Sequence, residues 1–332
     1  MNIHPHQPRI WYPVSLKLDH VSPAVRWVDL AGVAFDEPFF HHTVNRLAER
    51  ESLVLPLGAT PPVDAQPWLA PSAFIFHVSR CGSTLLCNIF RALSNTHVVA
   101  EPQPVMALLG PYSSKLWPCT EAEWAPKRDA LLRQMMQRLG QPPTGSATRY
   151  IVKLASYSAM RMEVIRALWP DVPVLFLVRD PAEVIVSNMG RRPAWMKLLQ
   201  RPAQTRNVFG WAEKNHPASV EEFCARAFGE LCDSTLRNMG ANSLVMDYRE
   251  LIEGGWSRAF AFLGLDAPDA GEQARIEEAT KTYSKDASGE ARFKADGKVK
   301  GDRITPAISE AADRWARPSL RALLAASNEV QS

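Results

Sequence analysis

Short, continuously apolar runs constrain this chain most. Ala73-Phe74-Ile75-Phe76-His77-Val78 is one and ends in turn residues, Val172–Val178 is a second, strongly apolar one, and Tyr150-Ile151-Val152-Lys153-Leu154 reads as a further strand. A strand that is apolar on both faces must be covered on both, which points to a parallel sheet between helices. His97-Val98-Val99-Ala100 and Leu244-Val245-Met246 add two shorter strands. Helical periodicity separates them: Thr84–Leu93, with apolar Leu85, Leu86, Ile89, Phe90 and Leu93, then Glu121–Leu139, Ser158–Leu168, a helix from Pro181, and Val220–Met239. The expected architecture is α/β, three-layered, with a central parallel sheet and helices on both faces. In such sheets ligands gather at the carboxyl ends of the strands.

Residues 1–70 have a different texture, rich in Pro, His and aromatics, with one helix predicted over Glu37–Glu51. Pro61-Pro62 and Pro67 form a stiff connector. The expected division is an N-terminal extension over 1–70, packing on the main domain and helping to shape its pocket, and a main domain over 71–332. The net charge of +3 across 332 residues is too balanced to argue for nucleic acid or an anionic membrane. No stretch reaches the roughly 18 consecutive apolar residues of a membrane span. The first residues lack a basic segment followed by an apolar one, so no signal peptide is expected. Five cysteines, an odd number with no CxxC pair, argue against a disulfide framework or zinc knuckle and for a reducing cytoplasm. There is no metal-ligand cluster, so no metal is expected.

The strand ending at Val78 runs into Ser79-Arg80-Cys81-Gly82-Ser83-Thr84 and straight on into a helix. Such a turn aims several backbone N–H groups at one point, and the helix dipole adds positive potential there. Gly82 allows close approach of an anion, Ser83 and Thr84 add hydroxyl donors, and Arg80 adds a permanent forked cation. The loop is not G-x-x-x-x-G-K-[ST]: His77 stands five before Gly82, and Ser83 follows it where a lysine would clamp a triphosphate.

A second segment, Arg179-Asp180-Pro181-Ala182-Glu183-Val184-Ile185-Val186-Ser187, carries its own helix-start chemistry. Asp180 suits the N-cap, Pro181 the first helical position, and Glu183 the third position of a capping box. Ser187, seven after Asp180, lies two turns along on nearly the same face. An arginine and a serine so placed can converge on one phosphate.

Together the two segments resemble PAPS-dependent sulfotransferases of the P-loop superfamily. Phe76 to Leu86 is similar to that family's 5′-phosphosulfate loop, P-[KR]-S-G-[ST]-T-x-L, with Ser79 in place of the proline and Cys81 in place of the serine. Arg179 to Ser187 matches the 3′-phosphate pattern R-[DN]-P-x-[DE]-x-x-x-S. Met246-Asp247-Tyr248-Arg249-Glu250-Leu251 is similar to the Y-E-D-L segment, and Lys298-Val299-Lys300-Gly301-Asp302-Arg303 to the late basic loop. The resemblance spans Ala73 to Arg303.

It implies a P-loop NTPase-like fold and sulfuryl transfer from PAPS, with release of PAP, to a hydroxyl or amine on a small-molecule or glycan acceptor. A homodimer stays open. Ser79, Arg80, Cys81, Gly82, Ser83, Thr84 and Leu85 would hold the 5′ side of the nucleotide. Arg179, Ser187, Lys300 and Arg303 would hold the 3′ side. Arg80 would stabilise charge on the leaving phosphate. Glu101, in the Glu101-Pro102 pair after a strand expected beside the phosphate-loop strand, is a candidate base. Its alternative is a structural pair with a basic residue. Lys153 is a third candidate at the chemistry, and His77 reads as a packed histidine behind it. Between Met189 and Pro217, Arg191, Arg192, Trp195, Lys197, Arg201, Arg206 and Trp211 form a basic-aromatic insert, either a lid or a solvated connector. A P-loop kinase, or a non-catalytic nucleotide-binding protein on the same fold, are the other readings.

Overall fold

A computed structural model describes residues 9–19, 21–47, 49–62, 67–110, 120–144, 146–281 and 301–331. The main sheet has five strands: β4 (Ala73–His77), β5 (Thr96–Ala100), β6 (Arg149–Lys153), β7 (Val174–Val178) and β8 (Ser243–Asp247). All pair in parallel, in the order β5-β6-β4-β7-β8. Every residue of β4 and of β7 is buried, as their unbroken apolar runs require. The expected strand beside the phosphate-loop strand was β5, but β6 lies between them. That insertion puts Lys153, the last residue of β6, between the carboxyl ends of β4 and β5.

Helices flank the sheet on both faces. Those that matter for the site are α2 (Ser83–Arg91), α3 (Gln103–Leu109), α4 (Glu121–Leu139), α5 (Met162–Leu168), α6 (Pro181–Gly190), α7 (Pro202–Phe209), α8 (Val220–Arg237) and α9 (Tyr248–Ile252). The helix expected over Ser158–Leu168 divides into a 3-10 turn at Ser156–Arg161 followed by α5. From β4 the chain crosses to β5 at one edge and returns through β6, whereas from β7, on the other side of β4, it runs outward to β8. The carboxyl end of β4 is therefore the topological switch point, where an open α/β sheet forms its crevice. Among the described residues, no helix is long and apolar enough to cross a membrane.

The N-terminal region holds a second sheet that its sequence did not announce. β1 (Trp11–Lys17), β2 (Ala24–Asp29) and β3 (Ser52–Pro56) form an antiparallel sheet in that order. Pro13 obscures β1, since proline cannot donate to a ladder; the register shifts between Pro13 and Ser15, and this irregularity absorbs it. The helix predicted over Glu37–Glu51 shrinks to α1 (Phe40–Arg46), and the chain then turns into β3. The small sheet is fastened to the main body. Leu16 N–H donates to Gln103 Oε1 (2.7 Å), Gly32 N–H donates to Pro143 O (2.9 Å), and the Tyr12 hydroxyl donates to Gln141 O. Tyr12 and Trp27 are fully buried within the same apolar cluster as Phe74 and Phe76. Rings of that size each remove about 150–250 Å² from water, on the order of 4–6 kcal/mol at ~25 cal/mol/Å².

Candidate active site

β4 ends at His77, and the chain turns through Ser79 to Gly82 before α2 starts. Gly82 caps α2 with a left-handed φ of +82°. A Cβ there would stand 2.8 Å from the Tyr248 ring and 3.3 Å from Leu251, so both conformation and close approach demand glycine. Arg80 also has positive φ, +63°, although it is not glycine. The Cys81 thiol donates to the Val78 carbonyl at 2.8 Å and is fully buried. Its side chain thus faces the core while its backbone stays in the turn.

Arg179 leaves β7 just before α6. Asp180 caps that helix, accepting from Glu183 N–H at 3.1 Å. The expected reciprocal half of a capping box is replaced: the Glu183 carboxylate instead binds Arg179, at 2.7 Å from Nε and 2.5 Å from Nη2. The Arg179 guanidinium lies 4.0 Å from the centre of the Tyr248 ring. Tyr248, at the start of α9, therefore packs against both the Gly82 turn and Arg179.

The two segments touch. Arg80 Nε donates to Ser187 Oγ at 2.8 Å, and Ser79 Oγ donates to Asn188 Oδ1 at 2.9 Å. They form one wall of a 360 Å³ cavity at the carboxyl edge of the sheet, which Ser79 to Leu85, Arg179 and Ser187 all line. A larger cavity of 490 Å³, lined by Arg91, His97 and Arg275, contains none of these residues. The smaller one sits at the switch point and holds the two candidate anion-binding segments, so it is the candidate site.

Glu101, Lys153 and His77 meet in the same cavity, at the ends of β5, β6 and β4. Lys153 Nζ lies 2.6 Å from Glu101 Oε1, and Glu101 N–H donates to the Lys153 carbonyl at 2.7 Å. Of the two roles left open for Glu101, the pair with a basic residue is present. Lys153 is 1% exposed, and its ammonium also faces the Phe39 ring at 4.9 Å. Burial alone would raise the Glu101 pKa; the neighbouring Lys153 and His77 outweigh it and hold the carboxyl at about 2. His77 is 6% exposed; Nδ1 lies 2.9 Å from the Val78 carbonyl and Nε2 lies 3.7 Å from Glu101 Oε1. Burial lowers its pKa, more than Glu101 raises it. Glu101 has φ +55°; among the described residues, it and Arg80 are the non-glycine residues with positive φ.

Other predicted residues fall elsewhere. Arg303 Nη2 is 3.7 Å from where a Cβ on Gly190 would stand, which places it at the far end of the Ser187 helix rather than on the cavity wall. Lys298 and Lys300 lie outside the described residues. Within the basic-aromatic insert, Arg191, Arg192 and Trp195 line the cavity, whereas Trp211 stacks on Phe209 in a separate small core. The sequence did not single out Phe39, His41 and His42 of the α1 region, which close the cavity beside Lys153, nor Tyr157 and Asn188. The adjacent rings of Phe39-Phe40-His41-His42 were the available signal.

Four buried polar atoms on cavity-lining residues have no hydrogen-bond partner among the described residues: His42 Nδ1, His77 Nε2, Thr84 Oγ1 and Trp195 Nε1. Buried polar atoms are paired in most native structures, and a cluster left unpaired around one cavity marks where a polar ligand fits.

No family model matches the chain, and no curated protein sequence does. Several solved structures are similar to it, sulfotransferases among them. One is the sulfotransferase from Alicyclobacillus acidocaldarius, at 13% identity, TM-score 0.41, covering 78% of this chain and 96% of that one. Another is the sulfotransferase domain of the curacin biosynthetic pathway, at 14% identity, TM-score 0.44, covering 75% and 98%. A third is a mouse sulfotransferase complexed with PAP, at 12% identity, TM-score 0.41, covering 79% and 91%.

Proposed function

We propose that this protein transfers the sulfuryl group of PAPS to a hydroxyl, or an amine, of a small-molecule or glycan acceptor and releases PAP. The observation that carries the reading is the joining of two separate anion-binding segments, through the Arg80–Ser187 hydrogen bond, on one wall of one cavity. A nucleotide with phosphate at both its 5′ and 3′ positions needs two such segments; a simple nucleoside diphosphate or triphosphate needs one.

The residues fit that ligand. The unpartnered Thr84 hydroxyl, the backbone at the start of α2 and the space kept open by Gly82 suit the 5′ phosphosulfate. Arg179 and Ser187 suit the 3′-phosphate. Sulfuryl transfer, like phosphoryl transfer, is an in-line displacement in which the protein mainly positions groups and stabilises charge. Arg80 neutralises charge gathering on the leaving phosphate, and Lys153 sits beside the sulfuryl oxygens. The acceptor enters along the wall made by Phe39, His41, His42 and Trp195, an aromatic surface suited to a phenolic or sugar ring.

Calorimetric titration with PAP and ADP tests the donor. Tight PAP binding with a clear loss for ADP is expected, and equal affinities would overturn the role of the second segment. Incubation with radiolabelled PAPS and a panel of alcohols, phenols, amines and sugars then tests transfer.

A further inference from the structure

We propose that His77 takes the acceptor's proton and that Glu101, rather than acting as the base, positions His77 and receives its positive charge. This rests on the sulfuryl-transfer reading above.

The geometry fixes which nitrogen of His77 can act. Nδ1 lies 2.9 Å from the Val78 carbonyl oxygen, and only an N–H can make that contact. In the neutral ring Nε2 then carries the lone pair. Nε2 is buried, has no hydrogen-bond partner among the described residues, and belongs to a ring that lines the cavity. It is an acceptor without a donor, at the end of the strand that feeds directly into the phosphate loop.

Glu101 is already engaged. Its Oε1 accepts from the buried Lys153 ammonium at 2.6 Å. A proton placed on Glu101 would dissolve that ion pair inside the protein. A proton placed on His77 Nε2 creates an imidazolium 3.7 Å from the same carboxylate, which gains a second cationic partner. The low pKa of Glu101 agrees, since so weak a base gives little help to an alcohol, whereas a neutral imidazole is nearer the optimum at pH 7. The other cavity imidazoles are set differently. His41 and His42 lie on α1; His41 stacks on Phe39, His42 meets the same ring edge-on, and neither forms an ion pair with a carboxylate among the described residues, although Glu101 lies near enough to raise the His41 pKa slightly against burial.

The step balances. The acceptor oxygen bonds to sulfur as its proton moves to His77 Nε2. The bond between sulfur and the bridging phosphate oxygen breaks, and its electron pair stays on that oxygen beside Arg80. The imidazolium later returns the proton to solvent.

The charged groups acting on His77 are Glu101 at the end of β5 and Lys153 at the end of β6; Arg80, His41, His42 and Tyr157 line the same cavity. The test compares wild type with His77→Asn, which keeps a donor where Nδ1–H stood, and with His77→Gln. PAP affinity is measured calorimetrically, and transfer is measured to an ordinary phenol and to a nitrophenol that loses its proton easily. We expect PAP affinity within about threefold of wild type. Transfer to the ordinary phenol should fall about 10²–10⁴-fold, and transfer to the nitrophenol at least tenfold less than that. Glu101→Gln should lower transfer less than the His77 variants do, with the acid limb of kcat/KM moved to lower pH, because removing the carboxylate lowers the His77 pKa. Turnover within threefold of wild type in both His77 variants would overturn the proposal. So would loss in His42→Ala alone, or abolished transfer in Glu101→Gln. One arm needs no acceptor: ¹⁵N spectra of the imidazoles at pH 7 should show His77 with Nδ1 protonated and Nε2 bare, and a protonated Nε2 would refute it. Failure of wild type to prefer PAP over ADP would instead refute the donor reading.

Discussion

Lys153→Met tests the electrostatics of the site through stability. The substitution keeps the length of an apolar stem and removes the ammonium that Glu101 holds at 2.6 Å. Breaking one half of a buried ion pair costs about 3–5 kcal/mol, because the other charge remains buried and unpaired. The pH dependence identifies the charge responsible. Glu101 falls from 4.5 to about 2 on folding, so it contributes roughly 3 kcal/mol that is present above pH 4.5 and lost as pH falls toward 2. In the variant, burial dominates and the Glu101 pKa rises, so its protonation on acidification relieves the penalty. His77 acts in the same direction: the nearby Lys153 helps to lower its pKa, and removing Lys153 lessens the stability that His77 loses below pH 6.5. The gap in unfolding free energy between wild type and variant should therefore narrow by roughly 2 kcal/mol between pH 7 and pH 3. Urea denaturation followed by far-ultraviolet circular dichroism across that range measures it. A gap that stays constant would show that Lys153 is worth its packing alone, and the account of Glu101 would fall with it.

Three further outcomes are expected. Gly82→Ala places a methyl 2.8 Å from the Tyr248 ring at φ +82°, so PAP affinity should drop at least tenfold in calorimetry while the circular dichroism spectrum is kept. Cys81→Ser should leave PAP affinity within about threefold, because this side chain donates to the Val78 carbonyl and faces the core; a large gain would mean that the side chain turns to the ligand. At Arg80, with φ +63°, the glycine variant should be more stable than the alanine variant by about 1 kcal/mol in thermal denaturation. The reverse order, usual at ordinary positions, would show that the turn carries no strain there.

The sequence disclosed what depends on contiguous residues. β4 and β7 were legible because a strand buried on both faces has no polar positions to confuse the pattern. The Glu121–Leu139 helix matched at both ends because Thr120 and Glu123 form a capping box before it and Gly140 ends it. The two candidate anion-binding segments were legible for the same reason, as each is a strand-turn-helix junction written in one stretch. The N-terminal sheet was hidden by Pro13 inside β1 and by β3, whose residues alternate between exposed and half-buried and so carry little apolar signal. The meeting of His77, Glu101 and Lys153 was hidden because it depends on strand order. Nothing in the three segments says that β6 inserts between β4 and β5, and without that insertion Lys153 would not reach Glu101.

The positive φ angles of Arg80 and Glu101 bind these points together. Neither residue is glycine, so no residue type advertised the conformation, and each costs on the order of 1–3 kcal/mol. The surrounding contacts compensate for that cost. Arg80 is held by its bond to Ser187, and Glu101 by a backbone bond to the Lys153 carbonyl and by the ion pair with its side chain. In both cases the contact that stabilises the strained residue comes from another strand or helix of the switch point. The left-handed turn at Arg80 directs its guanidinium toward Ser187 on α6, and the one at Glu101 turns its carboxylate back toward the ends of β4 and β6. An ordinary backbone at either place would keep the chemistry in the sequence and lose it in space. The site is thus specified less by its motif residues than by the sheet order that lets two unfavourable conformations be held in one cavity.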